Sequence, residues 1–224
     1  MNNKREELLL KMYDQMFNDI NRHILVIWQS VGVLIGAFAI FSLTEKQIIS
    51  LDIASSIILL LCHWLISHLY DSAYWYNRNL AIISNIEKQF LLESDLNEIH
   101  YYFGKHRPAS TMLTHLQIQY RLAVGIGLIV LLYHFFNRVT PGFNSSWSNF
   151  DLIRSFPYLI VIISIVHLAN FKRQRDKSYQ EFICNSPGKE MKSNDIQYGT
   201  GHGFSQKSSE GESECHVIAE SIDG

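Results

Sequence analysis

The sequence lacks the features that mark disulfide-rich, nucleic-acid-binding or catalytic proteins. Its three cysteines are scattered along 224 residues, which excludes a disulfide framework and a CxxC motif. The formal net charge is only -2, so we expect no nucleic-acid partner. The short motifs of serine hydrolases, P-loop proteins, zinc peptidases and dinucleotide-binding enzymes are also missing. We therefore predict no catalytic residues, no cofactor and no enzyme activity.

Charged residues are scarce above all in four long apolar runs. These runs cover residues 24–43, 53–70, 118–136 and 152–171, and the first two contain no charged residue at all. A helix of about 20 residues crosses the roughly 30 Å hydrocarbon layer of a bilayer. Arg121 and Arg154 lie near one end of their runs, from which a long side chain reaches the headgroups. The runs are apolar on every side, so we predict an all-α membrane protein with four transmembrane helices rather than a soluble helical core.

Lysine and arginine alternate between the segments that flank these runs. Four lie before the first run, four between the second and third, and four in the six residues after the fourth. The other two links carry one each. Because basic residues mark the cytoplasmic side, we predict a multi-pass protein of the cell membrane with both termini in the cytoplasm.

Five regions follow from this pattern. Residues 1–23 are predicted as an amphipathic cytoplasmic or interfacial helix, and residues 24–70 as the first transmembrane hairpin. Residues 71–117 form a cytoplasmic helical link, or stalk, and residues 118–171 the second hairpin. Residues 172–224 comprise a basic flank and a cytoplasmic tail, which is too poor in apolar residues to fold alone and is predicted to be disordered.

The first half of the link carries an apolar stripe, the stalk stripe. Its five residues recur at helical spacing: Tyr76, Leu80, Ile83, Ile86 and Phe90. Outside a bilayer such a stripe must be covered by the next part of the link, by another subunit or by a partner. We predict the stripe as a candidate surface for a cytosolic protein partner or for homo-oligomer formation.

Three polar side chains lie inside the runs and are candidate intramembrane contacts: Gln29, His63 and His167. We find no carboxylate within a run and expect no buried one, which argues against a proton-coupled transporter. None of the ten histidines has the spacing of a metal motif, so we predict no metal site. Gly32 and Gly36 in the first run permit close approach of another helix.

The string NRNLAIISNIE at residues 77–87, combined with the four-run layout, resembles small bacterial multi-span membrane proteins. Most members of that group are uncharacterised, and some accompany anti-phage defence genes. The resemblance implies an oligomeric component of the inner membrane that acts with a cytosolic partner, with a role in antiviral defence. It carries no catalytic motif and assigns no functional residue.

The predicted function is therefore an oligomeric membrane scaffold or effector that couples a cytoplasmic partner or signal to the bilayer. A channel or small transporter is the alternative, and it would require a water-filled oligomeric axis near Gln29. A membrane-embedded enzyme would require a carboxylate or metal cluster at the inner interface, which the sequence does not provide.

Overall fold

The computed structural model describes residues 3–37, 39–87, 89–90, 110–144 and 151–185, and every regular element in these ranges is helical. The helices are α1 (Asn3–Ala37), α2 (Ala39–Glu45), α3 (Leu51–Glu87), α4 (Thr114–His134) and α5 (Phe156–Cys184). Between α4 and α5 lie a π-helical turn (Phe135–Val139) and two 3-10 turns (Thr140–Asn144 and Leu152–Ser155).

Four helical segments are long and apolar enough to cross a membrane. They are Lys4–Glu45, Leu51–Glu87, Thr114–Phe143 and Leu152–Cys184. Each contains one of the four runs predicted from the sequence. The all-helical class and four candidate membrane-crossing helices are therefore confirmed, and they are compatible with a multi-pass membrane protein.

The chain divides into two compact units. Unit 1 comprises Met1–Asn21, Tyr74–Thr111 and Asp176–Gly224, and unit 2 comprises Arg22–Ala73 and Met112–Arg175. All four apolar runs fall in unit 2, whereas most of the N-terminal helix and of the link falls in unit 1. Long parts of the predicted regions lie outside the described residues: residues 91–109 of the link, residues 145–150 of the second hairpin and residues 186–224 of the tail.

Unit 2 has an aliphatic core to which α1, α3 and α4 contribute fully buried side chains, among them Ile27, Leu34, Ile58, Leu65 and Val130. Helix α5 adds side chains that are only partly buried. Large isoleucines, leucines and phenylalanines stand exposed on the parts of α4 and α5 that carry the apolar runs. Exposed apolar side chains in this number suit hydrocarbon rather than water.

Several apolar side chains of unit 1 are also buried in the folded chain, namely Ile20, Ile83, Ile86 and Tyr179. Among the described cysteines, Cys62 in unit 2 is free and buried, whereas Cys184 at the end of α5 is disulfide-bonded. The scattered cysteines exclude a framework of several bridges, but they do not exclude a single bond.

Candidate functional site

The most developed polar site in unit 2 is built around Asp52. Ser50 precedes α3, and its Oγ accepts a hydrogen bond from the Ile53 amide at 3.3 Å. Asp52 follows in the first turn, where a negative charge interacts favourably with the helix dipole. The residue is nevertheless only 2% exposed. A charge buried to this degree requires partners from the protein itself.

Those partners come from the end of α4. Arg138 Nε donates to Asp52 Oδ1 at 3.1 Å, and Arg138 Nη2 donates to Asp52 Oδ2 at 2.8 Å, which makes a bidentate pair. His134 Nε2 lies 2.9 Å from the same Oδ1. His134 closes α4 and Arg138 lies four residues later, within the π-helical turn. This turn brings an imidazole and a guanidinium to one carboxylate.

Both ring nitrogens of the fully buried His134 are engaged. Its Nδ1 lies 3.1 Å from the Tyr158 hydroxyl, and its Nε2 faces Asp52. In the neutral ring, Nε2 donates to Asp52 and Nδ1 accepts from Tyr158. In the charged ring both nitrogens donate, and the Tyr158 hydroxyl accepts instead. The network therefore joins α3, α4 and α5 with either protonation state of the histidine.

A second, more exposed ion pair, formed by Arg154 and Asp151, borders this network. Arg138 Nη2 is 3.9 Å from Asp151 Oδ2, and Arg154 Nε is 3.6 Å from the same oxygen. Asp151 also accepts a hydrogen bond from the Ile153 amide at 3.1 Å and so caps the following 3-10 turn. The charges of the two arginines and two aspartates balance. This cluster therefore links helix ends and presents no net charge to a ligand.

The expectation of no buried carboxylate is thus wrong. Asp52 lies one residue before the second run, whereas the expectation considered only residues within the runs. A signal was present in the sequence, since Asp52, Arg138 and Arg154 all lie at the run ends that the predicted topology assigns to the outer face. Opposite charges that share one face can meet there.

The structure brings two of the three predicted intramembrane residues together. The rings of His63 and His167 lie 4.9 Å apart, and the His167 ring stacks on Phe171 at 6.0 Å. The described residues contain no cluster of three potential metal ligands around this pair. Gln29 does not join the histidines, because it stands exposed on α1.

The stalk stripe is mostly buried in the folded chain. Its three central residues, Leu80, Ile83 and Ile86, are buried, and its two end residues, Tyr76 and Phe90, are half-buried. The central residues are therefore not accessible from outside the folded chain. The two ends remain partly accessible and form the part of the stripe that an external partner can contact.

A tyrosine and a glutamate form a paired site in unit 1, outside the four apolar runs. The Tyr13 hydroxyl donates to Glu87 Oε1 at 3.3 Å. Burial, followed by the charge of Glu87, raises the pKa of Tyr13 to about 12, so this phenol remains a donor at neutral pH. Burial also raises the pKa of the Glu87 carboxyl, and the hydrogen bond from Tyr13 partly opposes that rise.

Arg78, one of the basic residues that predict the topology, also contacts aromatic rings in unit 1. The guanidinium carbon of Arg78 lies 5.0 Å from the centre of the Trp75 ring and 5.4 Å from that of Phe182. Contacts of this geometry are cation–π interactions, which fix the orientation of the guanidinium.

No protein-family model, curated protein or solved structure matches the chain. Three features of the chain's own residues therefore bear on its function: the buried Asp52 network, the exposed Gln29 on α1, and the partly accessible aromatic and arginine side chains of unit 1.

Proposed function

We propose that the chain is an integral membrane scaffold or effector that couples a cytoplasmic partner or signal to the bilayer. In this proposal unit 2 lies in the membrane and unit 1 faces the cytoplasm. One observation carries it: all four apolar runs belong to unit 2, whereas most of the N-terminal helix and the central link belongs to unit 1. A chain divided in this way is suited to hold a polar helical unit at a membrane surface.

The accessible side chains of unit 1 support a protein as the partner. Tyr76 and Phe90 are half-buried. The guanidinium of Arg78 makes cation–π contacts with the rings of Trp75 and Phe182. Tyrosine, phenylalanine and arginine are enriched at protein–protein interfaces, where ordered aromatic and arginine anchors contribute much of the binding energy. A side chain that is already oriented also loses less entropy when it binds.

The face of α1 around Gln29 supports a homo-oligomer. Gln29, Leu25 and Val33 are exposed, and a side-chain carbon added at Gly32 or Gly36 would meet no atom within 4 Å. In hydrocarbon a primary amide lacks the hydrogen bonds that water would supply. A second copy offers an identical amide, which both donates and accepts, and the glycines allow the two backbones to approach closely.

In the same proposal the Asp52 network has a supporting role. It lies at the run ends assigned to the outer face and ties three helices of unit 2 together. A fixed helix arrangement would let the spans hold unit 1 in one orientation. The effect of partner binding would then be transmitted to the membrane, which helices that move independently would not do.

Site-specific photo-crosslinking in intact cells tests this proposal. A benzophenone amino acid is placed at Phe90, with Ile162 as the control because it is an exposed residue of the fourth run. We expect both variants to stay in the membrane pellet after alkaline carbonate washing, and position 90 alone to yield an adduct with a water-soluble cytosolic protein. Release by carbonate would refute the membrane location. A retained chain without an adduct at position 90 would refute the partner surface.

A further inference from the structure

Unit 2 contains an apolar cavity of about 160 Å³ between α3, α4 and α5. Aliphatic side chains make up most of its wall, among them Leu59, Ile66 and Leu131. Leu128 of α4 and Ile165 of α5 also line it, and they are 55% and 62% exposed, so they flank its opening at the surface of the unit. A space with such a wall suits a hydrocarbon chain and not a polar group.

Each residue that flanks the opening has a basic residue seven positions away on its own helix. Arg121 precedes Leu128 by seven residues on α4, and Lys172 follows Ile165 by seven residues on α5. Seven residues rotate a helix by about 700°, which is within about 20° of two full turns. Each basic residue therefore lies on the same side of its helix as the opening, about 10 Å further along the axis. Both basic residues are exposed.

The two basic residues lie at the same end of the cavity. The end of α4 meets the start of α5 where His134 Nδ1 lies 3.1 Å from the Tyr158 hydroxyl. Arg121 lies 13 residues before His134, and Lys172 lies 14 residues after Tyr158. Each distance is about 20 Å along its helix. Because both helices line the cavity over this length, Arg121 and Lys172 reach the same level beyond its far end.

This end of unit 2 has an excess of positive charge. Unit 2 contains four carboxylates, and three lie at the end near the buried network: Glu45, Asp52 and Asp151. The fourth, Asp71, accepts a hydrogen bond from Arg175 Nη1 at 3.2 Å and is thereby neutralised. Arg121 has no ion-pair partner in the part of the chain that the structure describes. Asp176 follows Lys172 by one helical turn and offsets part of its charge, so Arg121 is the stronger site for an anion.

We propose that unit 2 binds one anionic diacyl phospholipid, with an acyl chain in the cavity and the phosphate at Arg121 and Lys172. The predicted topology assigns this end to the cytoplasmic face, where basic pockets between membrane helices bind anionic headgroups. One leaflet supplies about 15 Å of hydrocarbon, so an opening about 10 Å from the cations receives the middle of a chain. This site goes beyond the proposed scaffold function and shares with it only the placement of unit 2 in a bilayer.

Native mass spectrometry of the full chain in detergent tests the headgroup contact. The chain is titrated with phosphatidylglycerol and with phosphatidylcholine of identical acyl chains, and the first bound lipid is counted. We expect phosphatidylglycerol to bind about tenfold more tightly, because two basic residues attract its net charge. Arg121→Ala should weaken phosphatidylglycerol about fivefold and change phosphatidylcholine less than about twofold.

Arg173→Ala is the matched control for Arg121→Ala. Arg173 is also an exposed arginine of unit 2, and it lies next to Lys172 in the sequence. It is eight residues from Ile165, which rotates it by about 80° from the side of α5 that flanks the opening. Both variants remove one arginine charge from the same end of unit 2, but Arg173→Ala should leave the affinity for both lipids unchanged.

Two glycines of α4 test the acyl-chain contact. A side-chain carbon at Gly127, which lines the cavity, would lie 3.8 Å from Leu59 Cδ2 and so reach the opposite wall, whereas one at Gly125 would meet no atom within 4 Å. Gly127→Val should therefore weaken both lipids at least about fivefold, and Gly125→Val should weaken neither. If Gly127→Val lowers the melting temperature, the Gly127→Ala and Gly125→Ala pair repeats the comparison, because the added methyl at Gly127 makes only ordinary contacts.

Equal affinity for the two lipids in the wild type would overturn the proposal and indicate only general contact with the bilayer. Equal losses in Arg121→Ala and Arg173→Ala would overturn it in the same way. If the glycine variants behave alike, no acyl chain occupies the cavity and the proposal is wrong. Carbonate extraction tests the bilayer location separately, so a chain that is retained in the membrane without lipid preference contradicts this inference alone.

Discussion

The pair formed by Asp52 and Arg138 provides a test of what stabilises unit 2. Arg138→Ala removes both donors of the bidentate contact and leaves the Asp52 carboxylate with His134 as its remaining partner in the network. Asp52 is 2% exposed, so water cannot replace the lost hydrogen bonds. The arginine side chain is 34% exposed, so part of its interaction is screened in the intact protein.

The size of the effect follows from these two exposures. Removing one member of a fully buried ion pair costs about 3–5 kcal/mol, because the other charge is left without compensation. Exposed pairs contribute about 0.2–1 kcal/mol. A buried carboxylate paired with a partly exposed guanidinium lies between these limits, and the remaining contact to His134 reduces the cost. We expect Arg138→Ala to lower the free energy of unfolding by about 2–3 kcal/mol.

Arg154→Ala is the matched control. The Arg154 side chain is 35% exposed, almost the same as Arg138, but its partner Asp151 is 39% exposed and lies 3.6 Å away. The two substitutions therefore remove the same side chain at nearly the same exposure. They differ in the burial of the carboxylate left behind and in the two hydrogen bonds that Arg138 makes to it. We expect Arg154→Ala to cost less than about 1 kcal/mol.

Unfolding of the full chain in dodecyl maltoside micelles, titrated with sodium dodecyl sulfate and followed by circular dichroism, measures both losses. Asp52→Asn alone and combined with Arg138→Ala completes a double-mutant cycle, which should give a coupling energy of at least about 1 kcal/mol. Equal losses for Arg138→Ala and Arg154→Ala, or a coupling energy near zero, would refute the view that the buried network stabilises unit 2.

Two further predictions concern unit 1 and α1. Burial raises the folded-state pKa of Glu87 above its ordinary value of 4.5, so stability should fall as pH rises from 4.5 through the folded pKa. When the melting temperature is measured as a function of pH, Glu87→Gln should remove this decline, whereas the control Glu7→Gln, at an exposed residue, should not. A decline that persists in Glu87→Gln would contradict the assignment of the decline to Glu87. Gln29→Leu should weaken self-association in nanodiscs about three- to thirtyfold by native mass spectrometry, since an interhelical hydrogen bond contributes roughly 0.6–2 kcal/mol. Trp28→Leu, at a neighbouring residue that is also exposed, is its control, and an unchanged oligomer in Gln29→Leu would exclude this face.

The helices of this chain could be predicted because their determinants are local. An uninterrupted run of apolar residues both favours a helix and sets its length, so each predicted run falls within one candidate membrane-crossing segment. The spacing of Leu80, Ile83 and Ile86 likewise identified one face of α3, and all three are buried. What local spacing could not indicate is which of the three possible covers buries them, since the spacing describes only the helix itself.

The Asp52 network could not be predicted in detail because its members are far apart in sequence. Asp52 is 82 residues from His134 and 86 residues from Arg138. Their meeting depends on the packing of α3 against α4 and on the π-helical turn, and no simple repeat in the sequence marks such a turn. Topology alone would have placed these charges on one face, but it could not show that Asp52 is buried.

Polar groups in unit 2 fall into three classes that have different consequences. The Asp52 network is satisfied within the chain, so it stabilises the fold and has little left to offer a ligand. His63 retains a buried nitrogen without a partner beside a cavity, and Gln29 presents an amide on an exposed helix face. In hydrocarbon, water cannot complete either group, but only the amide of Gln29 is open to a partner from outside the chain. The unpaired nitrogen of His63 is buried, so a molecule outside the fold does not reach it. The open face of α1 can admit a whole helix at Gln29, and Gln29 takes no part in the Asp52 network, so Gln29→Leu should weaken self-association without lowering the stability of unit 2.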